Sequence, residues 1–173
     1  MRKIAIITAR GGSKRIPKKN IKQFCGLPLI AYSIQAARKC GLFDVVMVST
    51  DSQEIAKVAE SYGAAVPFFR TEENSNDYAT TADVLEEVLN TYKQQGENFD
   101  IMCCIYPTAP FVTAEKLQQA YKVFEKADTA MLMPVVAFSF PPQRSMVLRG
   151  GDTRICSARA RPHSLPRPRT MVS

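Results

Sequence analysis

The residues best suited to chemistry lie close to the start of the chain, in Thr8-Ala9-Arg10-Gly11-Gly12-Ser13-Lys14-Arg15-Ile16-Pro17-Lys18-Lys19-Asn20. Two adjacent glycines let backbone N–H groups approach an anion closely, and five basic residues fall within positions 10–19. That composition suits a loop that holds phosphates. The spacing is neither G-x-x-x-x-G-K-[ST] nor G-x-G-x-x-G, so a Walker loop and a dinucleotide fingerprint are both excluded. The alternative is a solvated basic loop that only turns the chain.

Such a loop needs a scaffold, and the hydrophobic pattern around it describes one. Residues 3–8 form an apolar run bounded by polar residues, which predicts a buried strand, and 29–40 carry apolar residues at helical spacing. The valine-rich run 44–50 predicts a second strand. Residues 52–62 predict a helix with Ser52 as its N-cap and Gly63 as its stop, followed by a short strand over 66–69. Helices are expected over 80–95 and 113–126, and strands over 101–106 and 129–136. The β-α-β-α alternation predicts an α/β fold with a mostly parallel sheet flanked by helices, whose ligands sit beyond the carboxyl ends of the strands. The loop at 9–20 follows the first strand and so lies at that end.

Composition bounds the partners. With 173 residues and 46% hydrophobic content, one core is expected, and no apolar run of membrane-spanning length occurs. Without a signal-peptide pattern the expected location is cytoplasmic. Five cysteines without zinc spacing are expected as reduced, mostly buried thiols. The net charge is +7, but residues 144–173 hold seven arginines and one aspartate, which leaves 16 basic and 15 acidic side chains in residues 1–143. A nearly neutral body argues against specific binding of a nucleic acid.

The order of landmarks carries a resemblance. Residues 9–20, then Cys25-Gly26-x-Pro28-Leu29-Ile30-Ala31-Tyr32, Val48-Ser49-Thr50-Asp51, Arg70, Thr80-Thr81-Ala82-Asp83 and Tyr106-Pro107-Thr108-Ala109-Pro110 together resemble the acylneuraminate cytidylyltransferases over about the first 145 residues. Residues 78–83, 103–111 and 140–144 are most similar to the branch acting on pseudaminic acid. The resemblance implies a Rossmann-like nucleotide-diphospho-sugar transferase fold. It also implies a reaction in which the anomeric hydroxyl of a nine-carbon acidic (nonulosonic) sugar attacks the α-phosphorus of CTP and expels pyrophosphate.

It further implies roles for particular residues. Arg10 and Lys19 would be catalytic, the first as a planar donor fork on the triphosphate and the second as a mobile charge at the α-phosphate. Ala9, Gly11, Gly12, Ser13 and Asn20 would line the CTP site. For Lys14, Arg15 and Lys18, solvated charge and phosphate contact remain equal alternatives. Arg70 would read the cytosine O2 and N3 acceptors, which uracil does not present together, although it would also serve as an ordinary strand-end charge. Thr80 and Thr81 would lie near the nucleotide, and Thr80-x-x-Asp83 would equally form a capping box. Tyr106, Pro107 and Thr108 would contact the sugar. Relatives acting on sialic acid carry glutamine where this chain has Tyr106, which favours a different nine-carbon sugar. Thr8 stands where the family usually has proline, with only a small change expected in the strand exit. The alternatives are synthetases of CMP-sialic acid or CMP-octulosonate, and a fragment that binds CTP without turnover.

The resemblance stops at the tail. Residues 1–143 are expected as the nucleotide-binding catalytic portion and 144–173 as an Arg/Pro-rich segment foreign to the family, disordered or poorly packed. His163 falls there and is expected to be solvent-exposed. Residues 158–173 can be encoded so that reading one nucleotide later gives Pro-Glu-His-Ala-Arg-Thr-Arg-Ser-Gln-Asp-Leu-Glu-Pro-Trp-Tyr, which resembles the stretch this family carries there. The expectation is a frameshift upstream of about residue 158 that replaced the native C-terminal portion and produced an early stop. In the family that portion supplies the aspartates for Mg²⁺, further sugar contacts and the homodimer arm. No metal ligands are therefore assignable here, and activity is expected to be weak or absent.

Overall fold

The computed structural model describes residues 1–127 and 129–136 and the backbone of residues 146–149 and 152–155. A parallel three-stranded sheet lies at the centre of the unit Met1–Leu132. Its order is β4 (Val45–Ser49), β1 (Lys3–Thr8), β5 (Ile101–Ile105). Ile6 of β1 is opposite Met47 on one side and Cys104 on the other. Because β1 is central, it is covered on both faces, and Ile4, Ala5, Ile6 and Ile7 are all 0% exposed. Strand alternation divides them between two cores.

Ala5 and Ile7 pack with Ile30, Ile34 and Ala37 of α1 (Leu29–Lys39) and with Ile55 and Ala59 of α2 (Gln53–Ser61). Ile4 and Ile6 pack with Val88 and Tyr92 of α3 (Thr81–Gln94) on the opposite face. Each of these buried isoleucines contributes about 1.5–3 kcal/mol relative to an exposed side chain. Helix α4 (Ala114–Lys126) rests on the α1 side through Leu117, and the Gln118 amide donates to the Cys40 carbonyl at 2.9 Å. A short hairpin, β2 (Gln23–Phe24) with β3 (Leu27–Pro28), leads from the basic loop into α1.

The expected helix starts are present. Ser52, Thr80 and Thr113 each accept a backbone N–H of their own first turn. Gly63 ends the chain segment after α2 at φ +85°, a left-handed conformation that favours glycine. Of the four described cysteines, Cys40 is buried, Cys103 and Cys104 are half-buried, and Cys25 is exposed, all as free thiols.

Two strand expectations are corrected. Residues 66–69 do not form a strand. Ala65 bonds β4 on both sides, its N–H to the Val46 carbonyl and its carbonyl to the Val48 N–H, but the next ladder position is Pro67, which has no N–H to give. Residues 129–136 carry no regular secondary structure, and no described strand pairs with them; Pro134 also lacks a donor, and Val135 and Val136 are 86% and 92% exposed. Within the tail, β6 (Met146–Arg149) and β7 (Asp152–Ile155) pair antiparallel in the unit Met133–Ser173, with Met146 opposite Ile155. Residues 156–173, and with them His163, Cys156 and the proposed frame slip, lie outside the described residues.

Candidate functional site

The carboxyl ends of β1 and β4 bring their two following loops together. The Ala9 N–H donates to the Ser49 carbonyl at 2.9 Å, extending the β1–β4 pairing by one residue. Beyond it, the Gly11 N–H donates to Asp51 Oδ1 at 2.6 Å. The same contact explains the first glycine, because a Cβ on Gly11 would lie 3.0 Å from the Ser52 Cβ. Gly12 has no such neighbour within 4 Å. The Ser13 N–H is turned back to the Gly11 carbonyl at 2.9 Å. Two of the three amides expected for an anion are therefore engaged within the protein, and Gly12 carries the amide without a partner among the described residues.

Asn20 closes the loop from its far end. It is 5% exposed, and its Nδ2 donates to the Arg10 carbonyl at 2.9 Å, which ties residue 20 to residue 10. Its Oδ1 is buried without a hydrogen-bond donor. Such an orphaned acceptor costs about 1–3 kcal/mol, and a donor brought by a ligand or a small shift of the loop would recover it. The preceding residue, Lys19, is half-buried in a single 3₁₀ turn, Lys19–Ile21, and its ammonium has no acidic partner among the described residues.

Three other cations of the loop, Arg10, Lys14 and Lys18, are already paired. Arg10 donates through Nη1 to the Asn76 carbonyl and through Nη2 to Asp77 Oδ1, both at 2.9 Å. Lys14 reaches the second oxygen of the same Asp77 carboxylate. The hydrogen bond from Lys14, helped by the nearby positive charges, holds the Asp77 carboxyl below the usual carboxylate range. Lys18 pairs with Glu54 of α2 at 2.8 Å, which favours a structural role for it. Arg15 is exposed.

Arg70 is set at the edge of this loop by β4. Its N–H continues past Pro67 to the Thr50 carbonyl at 2.9 Å, its Nε donates to Ser49 Oγ at 3.0 Å, and its Nη2 donates to the Ser49 carbonyl at 2.7 Å. Burial lowers the guanidinium pKa, against the opposing charges of Asp51 and Glu87. An arginine stays protonated under such a shift. The side chain is thus fixed in direction, with Nη1 uncommitted among the described residues.

The start of α3 meets the end of β5 at the other side. Thr80 and Asp83 form a reciprocal capping box, in which Asp83 Oδ2 accepts both the N–H and the hydroxyl of Thr80. The Thr80 hydroxyl bond depresses the Asp83 pKa. Thr81 Oγ1 lies 3.3 Å from the Tyr106 hydroxyl, so an expected nucleotide residue and an expected sugar residue adjoin. Ser33, wholly buried on α1, donates to the Tyr106 carbonyl at 2.9 Å and fixes the strand exit. Pro107 is buried, whereas Thr108 is exposed. A depression lined by Gln35, Arg38, Lys39 and Tyr62 contains none of these residues.

Four positions that the sequence pattern alone did not single out as chemistry therefore shape the site: Ser33, Ser49, Asp51 and Asp77. Only Ser49 and Asp51 had a signal, as part of the Val48-Ser49-Thr50-Asp51 landmark. The arrangement can hold a polyphosphate between Arg10, Lys14, Lys19 and the Gly12 amide, with Arg70 at one side and the α3 N-terminus at the other. Magnesium is a different matter. Among the described residues no three acidic, histidine or cysteine side chains come together as ligands, and Asp51, Asp77 and Asp83 already accept from protein donors. The described residues do not fit a magnesium site, and no step is assigned to one.

A cytidylyltransferase family model matches residues 4–168. The chain belongs to the cytidylyltransferase family. Within it, the chain is 43% identical over 148 residues to the pseudaminic acid cytidylyltransferase of Campylobacter jejuni, covering 86% of this chain and 64% of that protein. It is 39% identical over 123 residues to the CMP-N,N'-diacetyllegionaminic acid synthase of Legionella pneumophila, covering 71% of this chain and 53% of that one. The chain thus spans less than two thirds of the length of these cytidylyltransferases. A solved structure of CMP:2-keto-3-deoxy-manno-octonic acid synthetase complexed with CTP superposes with a TM-score of 0.62 at 21% identity, over 76% of this chain and 50% of that one. That likeness establishes the Rossmann-like nucleotidyltransferase fold. No helix among the described residues is long and apolar enough to cross a membrane.

Proposed function

We propose that this chain carries the CTP-binding half of a transferase that joins CMP to a nonulosonic acid sugar of the pseudaminic acid type. The observation that supports it most is the signature loop 9–20 set at the carboxyl end of the central strand, near Arg70 and the α3 N-terminus. Two of the relatives, at 43% and 39% identity, act by name on pseudaminic and legionaminic acids. In the reaction the sugar's anomeric oxygen forms a bond to the α-phosphorus, the bond to the β-phosphate bridge breaks, and pyrophosphate leaves with the electron pair; the hydroxyl proton passes to solvent or a base. Negative charge grows on the phosphate oxygens, where Arg10 and Lys19 stabilise it. Arg70 donates to the cytosine acceptors, and Thr81 with Tyr106 lies where base and sugar sites meet.

A second reading, CTP binding without turnover by this chain, is favoured by the carboxylates Asp51, Asp77 and Asp83 being committed to protein donors rather than converging on a metal. The magnesium dependence and homodimer implied by the family belong, in this reading, to the longer relatives. Calorimetry of the 173-residue chain with CTP and UTP, followed by pyrophosphate release with pseudaminic acid, separates these readings. CTP preference with turnover supports transfer, CTP preference without turnover supports the binding portion, and no nucleotide binding by the folded chain defeats both.

A further inference from the structure

Two of the cations placed for a triphosphate, Arg10 and Lys14, already meet an anion of the protein. Asp77 bridges Arg10 Nη2 through one carboxylate oxygen, at 2.9 Å, and Lys14 Nζ through the other, while the neighbouring Asn76 carbonyl takes Arg10 Nη1 at 2.9 Å. A carboxylate on an arginine fork has the geometry of a phosphate on the same fork, so both anions compete for one set of donors. The segment that delivers Asp77 is built to do so. The Thr71 N–H and the Asn74 amide both donate to the Glu87 carboxylate of α3, at 2.8 and 2.5 Å. Asn76 Oδ1 accepts the N–H groups of Tyr78 and Ala79, at 2.7 and 2.9 Å, which turns the chain tightly around Asp77. One end of the segment is anchored at Arg70 and the other at the Thr80 cap, so Asp77 lies on a short strap between two residues assigned to the nucleotide.

We propose that Asp77 is a counter-ion latch on the phosphate loop, an internal anion that must leave Arg10 and Lys14 when a polyphosphate binds. The latch rests on the reading of residues 9–20 as a triphosphate loop. It keeps two like charges, Arg10 and Lys14, oriented for the ligand, and it sets a threshold that a monovalent anion does not overcome but a triphosphate does. Arg10 is 37%, Asp77 40% and Lys14 80% exposed at the side chain, so the Lys14 pair is largely screened, the Arg10 pair partly so, and the threshold is modest.

The test is calorimetric titration of the 173-residue chain with inorganic tripolyphosphate, CTP and UTP, comparing wild type, Asp77→Asn and Glu73→Gln. Glu73 is exposed on the same strap and makes no ion pair among the described residues, so its variant removes the same charge without touching the latch. Asp77→Asn is expected to tighten tripolyphosphate binding about three- to tenfold, and Glu73→Gln less than about twofold. Equal gains in both variants would reduce the effect to long-range charge and overturn the latch. Unchanged or weaker binding by Asp77→Asn overturns it as well, while leaving the phosphate loop intact. If folded wild type binds neither probe, the phosphate-loop reading fails and takes the latch with it. If tripolyphosphate shows the gain but CTP is not preferred over UTP, the latch stands and the cytidine reading falls.

Discussion

Asp51 accepts the Gly11 N–H at 2.6 Å, so the residue after β4 holds the backbone of the loop after β1. The two loops are one site because their strands are neighbours in the sheet. Replacing Asp51 by Ala frees the Gly11 amide and loosens the loop. CTP affinity is expected to fall about tenfold, with a stability loss of about 1 kcal/mol because the carboxylate is exposed. Calorimetric titration and thermal melting check the pair of values. An affinity equal to wild type would remove Asp51 from any positioning role.

The two glycines of the loop should respond differently. Gly11→Ala puts a Cβ 3.0 Å from Ser52 Cβ, whereas Gly12→Ala meets nothing within 4 Å. The first should lower stability by about 1 kcal/mol and the second by less than half as much, since a small overlap at a loop is relieved by movement of a few tenths of an ångström. Identical melting temperatures for the two variants would contradict the close approach.

Arg70→Lys is expected to reduce discrimination of CTP over UTP about tenfold or more. Lysine cannot both bond Ser49 twice and present planar donors to a base. Competition binding with the two nucleotides reads the ratio directly. A retained preference in the variant would assign base recognition elsewhere.

Acid should weaken the α3 start. Hydrogen bonding from Thr80 depresses the Asp83 pKa, so its contribution is fully present above the ordinary aspartate value of about 4 and is lost as pH falls through the lower folded-state value. Melting temperatures between pH 5 and pH 3 should decline more steeply for wild type than for Asp83→Asn. Parallel curves would mean that the capping box does not titrate with folding. At neutral pH, Thr80→Ala should cost about 1 kcal/mol through the same box.

Thiol labelling should follow burial. Among the four described cysteines, Cys25 is exposed and should react first with a disulfide reagent at pH 8. Burial pushes the Cys103 thiol up to about 11, with smaller contributions from Cys104 and Cys40, so almost no thiolate is present and labelling should lag. Peptide mapping by mass spectrometry gives the order, and early modification of Cys103 in the folded chain would refute its placement.

The sequence by itself determined the local decisions. Caps at Ser52, Thr80 and Thr113, the stop at Gly63, the buried run of β1 and the amphipathic helices α1 to α3 depend on neighbours within a few residues, and each lies within one or two residues of its expected bounds. The basic loop and its place after the first strand were legible for the same reason. Strand formation at 66–69 and 129–136 was not, because apolar residues supply a strand's faces but only a partner supplies its hydrogen bonds. Pro67 withholds one of those bonds, and no described strand offers them to 129–136. Ionic assignments were equally hidden. Lys14 and Lys18 look alike in a list of residues, yet one meets Asp77, 63 positions away, and the other Glu54, 36 positions away. Which charge neutralises which is decided by the β4-β1-β5 strand order that sets these loops side by side, and that order exists only in the folded chain.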